Sequence, residues 1–170
     1  MHLKLNVYYP EGGMQILGDS ARVEQGGAKV QVSGDPAKVI TARADLSAPN
    51  LTYTEAAGVL RAEGGVRGSL RDLQHGQLDE TPLGSGDGPL FVESENAFLE
   101  RGNSFAFRDD VRAWRDDALL TADQLRGNPD LGELSASGKV RTVWSTPEEG
   151  GESTQGPIDV TADRLAYRRE

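Results

Sequence analysis

A chain of 170 residues with a net charge of −9 is long enough for one domain with a buried core, or for a short array of repeats. Only 36% of its residues are hydrophobic while 21 are glycine and 8 are proline, which is typical of a β-rich protein with many turns and argues against a helical bundle. The acidic balance argues against nucleic acid as a partner, because binding to phosphates requires clustered Lys and Arg.

The N-terminal part of the chain reads as short strands about ten residues apart, the spacing of successive antiparallel strands. Residues 3–9 alternate apolar and polar side chains and stop at a turn signal over residues 10–13. Further strand-like segments lie at 14–17, 21–24 and 28–32. The last of these is predicted to end at the Gly-Asp-Pro turn of residues 34–36.

The next unit is predicted to begin as a strand at residues 39–43, and residues 74–88 read as a loop or long connection. Residues 109–126 fit either an amphipathic helix or strands. We favour strands, because TADQL at 121–125 matches TADRL at 161–165, which follows a strand-like alternation.

Two motifs occur twice, which indicates stacking of one kind of β-unit. The pattern G-x-L-x-A-x-G-x-V-R is found at residues 58–67 and 132–141, and a Gly-Pro strand start is found at 88–94 and 156–162. We expect one domain over 1–170, with internal units at 1–36, 37–74 and 88–155. The last unit, 156–170, reads as a truncated repeat of a longer array, or as a strand that pairs with another molecule.

Alternate residues of a strand share a face, so the long motif separates an apolar side from a charged side. Leu60, Ala62 and Gly64 fall on the apolar side, with small residues at the centre. Small residues either let two sheets pack closely or mark a bulge, or they leave a lumen for an apolar ligand. The inward positions are Leu60, Ala62, Val66, Phe105, Phe107, Val111, Leu134, Val140 and Trp144. By the same alternation, Asp109 and Thr142 also fall on positions that would face inward.

The order of these motifs, with I-x-V-x-A-D-x-L-x-Y at residues 158–167, resembles the OstA-like proteins over roughly residues 37–170. This family includes periplasmic lipopolysaccharide-transport proteins of the LptA and LptC type and the periplasmic domain of LptD. The resemblance implies an all-β, open and twisted β-jellyroll, or two-sheet antiparallel sandwich, in the periplasm.

The resemblance also implies a ligand and partners. The inward set would hold the acyl chains of lipopolysaccharide or a related envelope glycolipid, and edge strands would pair with other OstA-like proteins or with further copies of the chain. The edge positions expected to dock are Leu5, Val7, Ile158 and Val160.

Catalytic and metal-binding patterns are not apparent in the sequence. His2 and His75 lack partners at catalytic or metal-ligand spacing, and the absence of cysteine excludes disulfides and thiolate metal sites. The acidic pairs at 109–110, 116–117 and 148–149 are best read as solvated turns, because adjacent strand residues face opposite ways. We therefore expect no enzymatic activity, no cofactor and no metal.

A cysteine-free chain suits an oxidising compartment such as the periplasm and is equally allowed in the cytosol. No stretch approaches the ~18 apolar residues of a membrane-spanning helix, so no transmembrane segment is expected. The leading hypothesis is a lipid-carrying module. A structural β-scaffold without a ligand is the alternative, and an enzyme or sugar-binding module is disfavoured because aromatic residues are few.

Overall fold

The computed structural model describes residues 3–7, 13–24, 26, 28–71, 83, 88–100, 104–145 and 157–168, and for 3–7 and 129 it describes the backbone alone. Most of these residues lie in eleven strands. In chain order the strands are β1 Leu3–Val7, β2 Met14–Gly18, β3 Ser20–Glu24, β4 Lys29–Ile40, β5 Ala44–Thr54, β6 Val59–Leu70, β7 Leu90–Leu99, β8 Phe105–Arg115, β9 Ala118–Asn128, β10 Glu133–Trp144 and β11 Ile158–Arg168.

All strands belong to one antiparallel sheet in the order β1-β2-β4-β5-β6-β7-β8-β9-β10-β11, with β3 also paired to β4. Each long strand therefore pairs with its neighbours in the chain, and β1 and β11 form the two ends. A short 3-10 helix, Pro129–Leu131, joins β9 to β10. Within the described residues, none of the helical structure is long and apolar enough to cross a membrane.

A line of register shifts crosses the sheet at the middle of every long strand, and we call this line the corner. In β6, for example, pairing with β7 stops at Glu63 and resumes at Val66. Extra residues in a bulge bend a strand and increase its local twist, so bulges aligned across neighbouring strands fold the whole sheet. The corner comprises residues 34–36, 48–49, 64–65, 94–95, 109–110, 122–123, 138–139 and 163.

The corner divides the sheet into two layers. Layer A contains the strand halves at 29–33, 50–54, 59–63, 96–99, 105–108, 124–128, 133–137 and 164–168, together with β3, and layer B contains the other halves with β1 and β2. Strands β2 and β3 pair with opposite halves of β4 and are separated only by Asp19. They are thus one strand interrupted at the corner.

The two layers pack face to face. A Cβ on Gly68 of layer B would lie 3.6 Å from Cε1 of Phe107 in layer A, so the ring sits directly over this glycine. At the strand ends away from the corner, Nη1 of Arg43 lies 2.6 Å from Oδ1 of Asp130 and bridges layer B to layer A. The structure is therefore a two-layer sandwich made by folding one open sheet, which confirms the predicted fold class.

The core between the layers is a single cluster of alternating inward residues. It includes Phe107 and Leu125, both fully buried, and Leu83 from the connection between β6 and β7. The rest of the predicted loop at 74–88 lies outside the described residues except for Gly88, as does the loop at 147–156. The internal unit boundaries remain a prediction.

Two predictions at the N-terminal half were wrong. Residues 34–36 do not end a strand, since β4 runs from Lys29 to Ile40 and these residues form its bulge at the corner. Proline cannot donate to a ladder, but a bulge leaves its residues unpaired, so the strand resumes at Ala37. The predicted strand at 39–43 ends at Ile40, and residues 41–43 turn into β5.

The structure resolves the alternative left open for residues 109–126. They form the second half of β8, a turn at 116–117 and most of β9, as the match of the two T-A-D-x-L segments predicted. Gly64 and Asp109 were predicted to face inward, and this prediction was wrong. Both residues lie exposed at the corner with positive φ. The bulge there resets the alternation of inward and outward side chains. The prediction for Thr142 was right, since it is 2% exposed.

Candidate functional site

The residues predicted to line a groove all lie on the inner faces of the two layers. Eight are buried, with 0–6% of their surface exposed: Leu60, Ala62, Val66, Phe105, Phe107, Val111, Leu134 and Val140. Trp144 is half-buried and packs against the same cluster. The alternation in the repeated motifs thus located one continuous apolar interior.

The interior is almost entirely apolar, and its own side chains fill it. Among the described residues, Ser94, Arg115 and Thr142 are the only buried polar or charged side chains. The Ser94 hydroxyl donates to the carbonyl oxygen of Asn96 at 2.8 Å, which satisfies it at the corner. Because the central side chains contact each other across the layers, an acyl chain could enter only where the layers part.

The interior becomes accessible at β11. Ile158 is 39% and Val160 is 43% exposed, although both lie on the inner face, opposite Trp144 and Thr142 of β10. Leu165 and Tyr167 continue this face and are partly buried against the core. We call Ile158, Val160, Leu165 and Tyr167 the C-terminal lip. It extends the apolar interior to the end of the sheet.

Sequence analysis placed Ile158 and Val160 at this edge and missed the other two. The signal was present in the I-x-V-x-A-D-x-L-x-Y motif, because Leu165 and Tyr167 are two residues apart. The bulge at Asp163 shifts the parity between Ala162 and Leu165, so strict alternation from Ile158 does not reach them.

The lip is held on β10 by an ion pair on the outer face. Nε of Arg141 donates to both carboxylate oxygens of Asp159, at 3.1 and 3.2 Å, and Nη2 donates to Oδ2 at 2.6 Å. These hydrogen bonds and the positive charge hold the pKa of Asp159 below its usual value, and the same bonds raise the pKa of Arg141. The pair lies on the outer face of the sheet, so it does not cover the inner face of β11.

The two end strands expose backbone that no other described strand covers. Within the described part of the chain, β1 pairs only with β2, and β11 pairs only with β10. Leu5 and Val7 lie in β1, where the structure describes the backbone alone, and Ile158 and Val160 lie in β11. Unpaired edge backbone is a template for strand addition, so both ends can accept a further strand.

Within the described ranges, no three His, Asp or Glu side chains are grouped so that they could hold a metal ion. The acidic pairs at 109–110 and 116–117 are exposed at the corner and in the β8–β9 turn. His2, His75 and the pair at 148–149 lie outside the described residues.

Comparison with solved structures finds the same architecture in another chain. The crystal structure is that of LptH, the LptA homologous periplasmic component of the conserved lipopolysaccharide transport device from Pseudomonas aeruginosa, with a TM-score of 0.61. The alignment covers 89% of this chain and 95% of LptH, at 11% sequence identity. The two chains share one fold.

At the level of fold, the similarity to LptH confirms the resemblance that the repeated motifs indicated. No family model matches the sequence, and no curated protein matches it. At 11% identity few side chains are shared with LptH, so the arguments below rest on this chain's own residues.

Proposed function

We propose that this protein is a non-enzymatic lipid-carrying module of the periplasm. Its interior binds the acyl chains of lipopolysaccharide or a related envelope glycolipid, and its end strands dock further OstA-like modules. The observation that carries the proposal is the C-terminal lip, where Ile158 and Val160 stay exposed on the inner face.

Exposed apolar side chains that continue a core need a physical reason, because covering them stabilises the structure by about 25 cal/mol per Å² of apolar surface. An acyl chain lying along the lip and between the layers would supply that cover, at about 0.8 kcal/mol per buried CH₂ group. The LptH fold supports this ligand class, since LptH is a component of a lipopolysaccharide transport device.

Photo-crosslinking on the two faces of β11 tests the proposal. Benzoylphenylalanine at Val160 faces the interior, and the same group at Thr161 faces outward on the neighbouring residue. After irradiation with lipopolysaccharide, we expect an adduct with the Val160 probe and none with the Thr161 probe. Equal labelling at both positions, or none at either, would contradict the proposal.

A self-assembling scaffold without a lipid ligand is the second candidate, and the filled interior around Phe107 favours it. Native mass spectrometry separates the two functions. A stoichiometric lipopolysaccharide adduct supports the carrier, whereas an oligomer series that is unchanged by lipopolysaccharide supports the scaffold.

A further inference from the structure

The outer face of layer A carries a cleft of about 540 Å³ at the ends of β8 to β11. Three exposed arginines line it: Arg108 on β8, Arg126 on β9 and Arg164 on β11. Small side chains occupy the positions between them, and these form the floor of the cleft: Ala106, Ser135 and Ala166. We call this site the arginine cleft.

Strand register explains why the arginines line one cleft. Across the sheet, Arg108 faces Gln124, which faces Ser137, which faces Arg164. Neighbouring strands are about 4.8 Å apart, so the two ends of this row lie three strand spacings apart, and their side chains border the same cleft. Arg126 lies two residues further along β9, opposite Ala106 and Ser135.

Among the described residues, these three arginines form no ion pair with a carboxylate; the same is true of Arg112, which lies over the ring of Trp114 away from the cleft. Seven other arginines form ion pairs, and of these only Arg168 also lines the cleft: Arg22 with Glu24, Arg43 with Asp130, Arg61 with Glu63, Arg67 with Glu93, Arg71 with Asp45, Arg141 with Asp159 and Arg168 with Glu133. Unpaired arginines grouped in one cleft are unexpected in a chain of net charge −9.

A neutral side chain holds two of these arginines in place. The side-chain amide of Gln124 is oriented so that its oxygen faces the two arginines. This oxygen accepts from Nε of Arg108 at 3.0 Å and from Nε of Arg126 at 3.2 Å. The guanidinium of Arg108 also lies over the ring of Phe98, 4.8 Å from its centroid. These contacts orient the guanidinium groups without neutralising their charge.

The lining as a whole is cationic. It includes four arginines, the fourth being Arg168, against two glutamates, Glu100 and Glu133, so the lining has a net positive charge. Glu133 is paired with Arg168 at 3.2 Å, so it does not neutralise the other three. Hydroxyl and amide groups of Ser104, Asn128 and Ser135 line the same cleft.

We propose that the arginine cleft binds a phosphate monoester, carried either by a small polar molecule or by a lipid headgroup. Planar guanidinium groups donate paired hydrogen bonds to phosphate oxygens, and a fixed orientation lowers the entropy cost of binding. The cleft volume is within the ~300–1,000 Å³ range of small-molecule sites. The three arginines lie on the outer face of layer A, and Tyr167 of the C-terminal lip also borders the cleft; the phosphate proposal requires no lipid in the interior.

Titration calorimetry at low ionic strength tests the site with glucose 6-phosphate, with inorganic phosphate and with glucose as the uncharged control. Sedimentation with phosphatidylcholine vesicles, with and without phosphatidic acid, tests the lipid-borne group. We expect binding to phosphate-bearing probes and none to glucose or pure phosphatidylcholine. Binding to vesicles alone assigns a lipid source, and binding to the sugar phosphate assigns a soluble one. Either result supports the site, and no binding to any phosphate probe overturns it.

Two double variants separate the cleft from the general charge of the protein. R108Q/R126Q should weaken phosphate binding about tenfold or more, because charge-assisted hydrogen bonds are lost. R22Q/R67Q removes the same charge from arginines that are paired elsewhere, and binding should stay within about twofold of the unmodified protein. Equal losses in the two variants would overturn the proposal.

Gln124→Glu places a carboxylate between Arg108 and Arg126. Its negative charge should pair with both guanidinium groups and offset one of their two positive charges, and so lower phosphate affinity about tenfold while the melting temperature stays unchanged or rises. Undiminished phosphate binding by this variant would contradict the role assigned to Gln124 and its two arginines.

Discussion

Individual residues at the corner adopt backbone conformations that most side chains avoid. Asp109 and Asp110 have φ of 66° and 52°, Lys139 has 49°, and Gly64 and Gly65 both have 91°. Asp tolerates the left-handed region better than most residues because its short polar side chain bonds locally, and Nδ2 of Asn96 donates to Oδ2 of Asp109 at 2.9 Å. Local chemistry thus permits the bends.

Glycines at the corner are required for different reasons, and alanine substitutions should separate them. Gly65→Ala should lower the free energy of unfolding by about 1–2 kcal/mol, because only the left-handed backbone opposes it and no atom lies within 4 Å. Gly138→Ala should cost more, since a Cβ there would also lie 2.7 Å from Cβ of Asp123. Urea denaturation measures both, and equal losses would contradict the steric role of Gly138.

The ion pair between Arg141 and Asp159 should make the stability of the protein depend on pH. The pKa of Asp159 is lowered in the fold, so its contribution is present above the usual Asp value of 3.8 and is lost as pH falls through the lowered pKa. Asp159→Asn should therefore be less stable than the unmodified protein at neutral pH, with the difference vanishing at strongly acidic pH. Thermal melts across pH measure this dependence.

Asp163→Asn provides the control, because it removes one exposed carboxylate from the same strand. A pH-dependent difference of the same size in Asp163→Asn would show that loss of a negative charge, and not the pair with Arg141, is responsible.

At the scale of elements, β11 combines three functions on one strand. Its backbone is an open edge, its inner face carries the C-terminal lip, and its outer face carries Asp159 and Arg164. The short strand β3, which pairs only with β4, likewise leaves Val23 58% exposed, whereas the central strand β8 has Phe107 fully buried. The exposure of β11 follows from its place at the end of the sheet.

Edge docking between copies predicts a specific crosslink. The chain has no cysteine, so Leu5→Cys on β1 and Val160→Cys on β11 give single thiols. A mixture of the two proteins treated with a short bismaleimide should form a heterodimer if β11 of one copy pairs with β1 of another. Each protein alone is the control. Crosslinking of either protein to itself at the same yield would contradict head-to-tail pairing.

At the scale of the whole molecule, one folded sheet makes both walls of the interior. The corner joins the layers on one side, and the ion pair between Arg43 and Asp130 bridges them on the other. This pair is about half exposed and contributes little to stability, because surface ion pairs stabilise by about 0–1 kcal/mol. The ion pair itself is therefore only a weak barrier to parting of the layers at the strand ends.

A reversible lock between the layers tests whether they must part. R43C/D130C, joined by a cleavable bismaleimide, should lose lipopolysaccharide binding when locked and regain it after cleavage. R43C alone, treated in the same way, should bind throughout. Binding that persists in the locked protein would show that acyl chains enter elsewhere, and native mass spectrometry measures the bound mass.

The sequence by itself determined which residues face inward within each strand segment. From this alternation followed the all-β class, the apolar interior and the resemblance to the OstA-like fold. Period-two alternation is local, so Leu60, Val66, Leu134 and Val140 could be assigned without knowing their neighbours. The tertiary structure decided the corner, because a bulge is defined by the register of the partner strand. For this reason Gly64, Asp109 and residues 34–36 were predicted wrongly.

Tertiary structure alone also decided the contacts between distant segments. Leu83 is buried in the core, Arg43 meets Asp130 across the layers, and Arg108, Arg126 and Arg164 converge on one cleft. No periodicity in the chain relates these residues. Their proximity depends on how a twisted sheet folds on itself, which is a property of eleven strands together and not of any one segment.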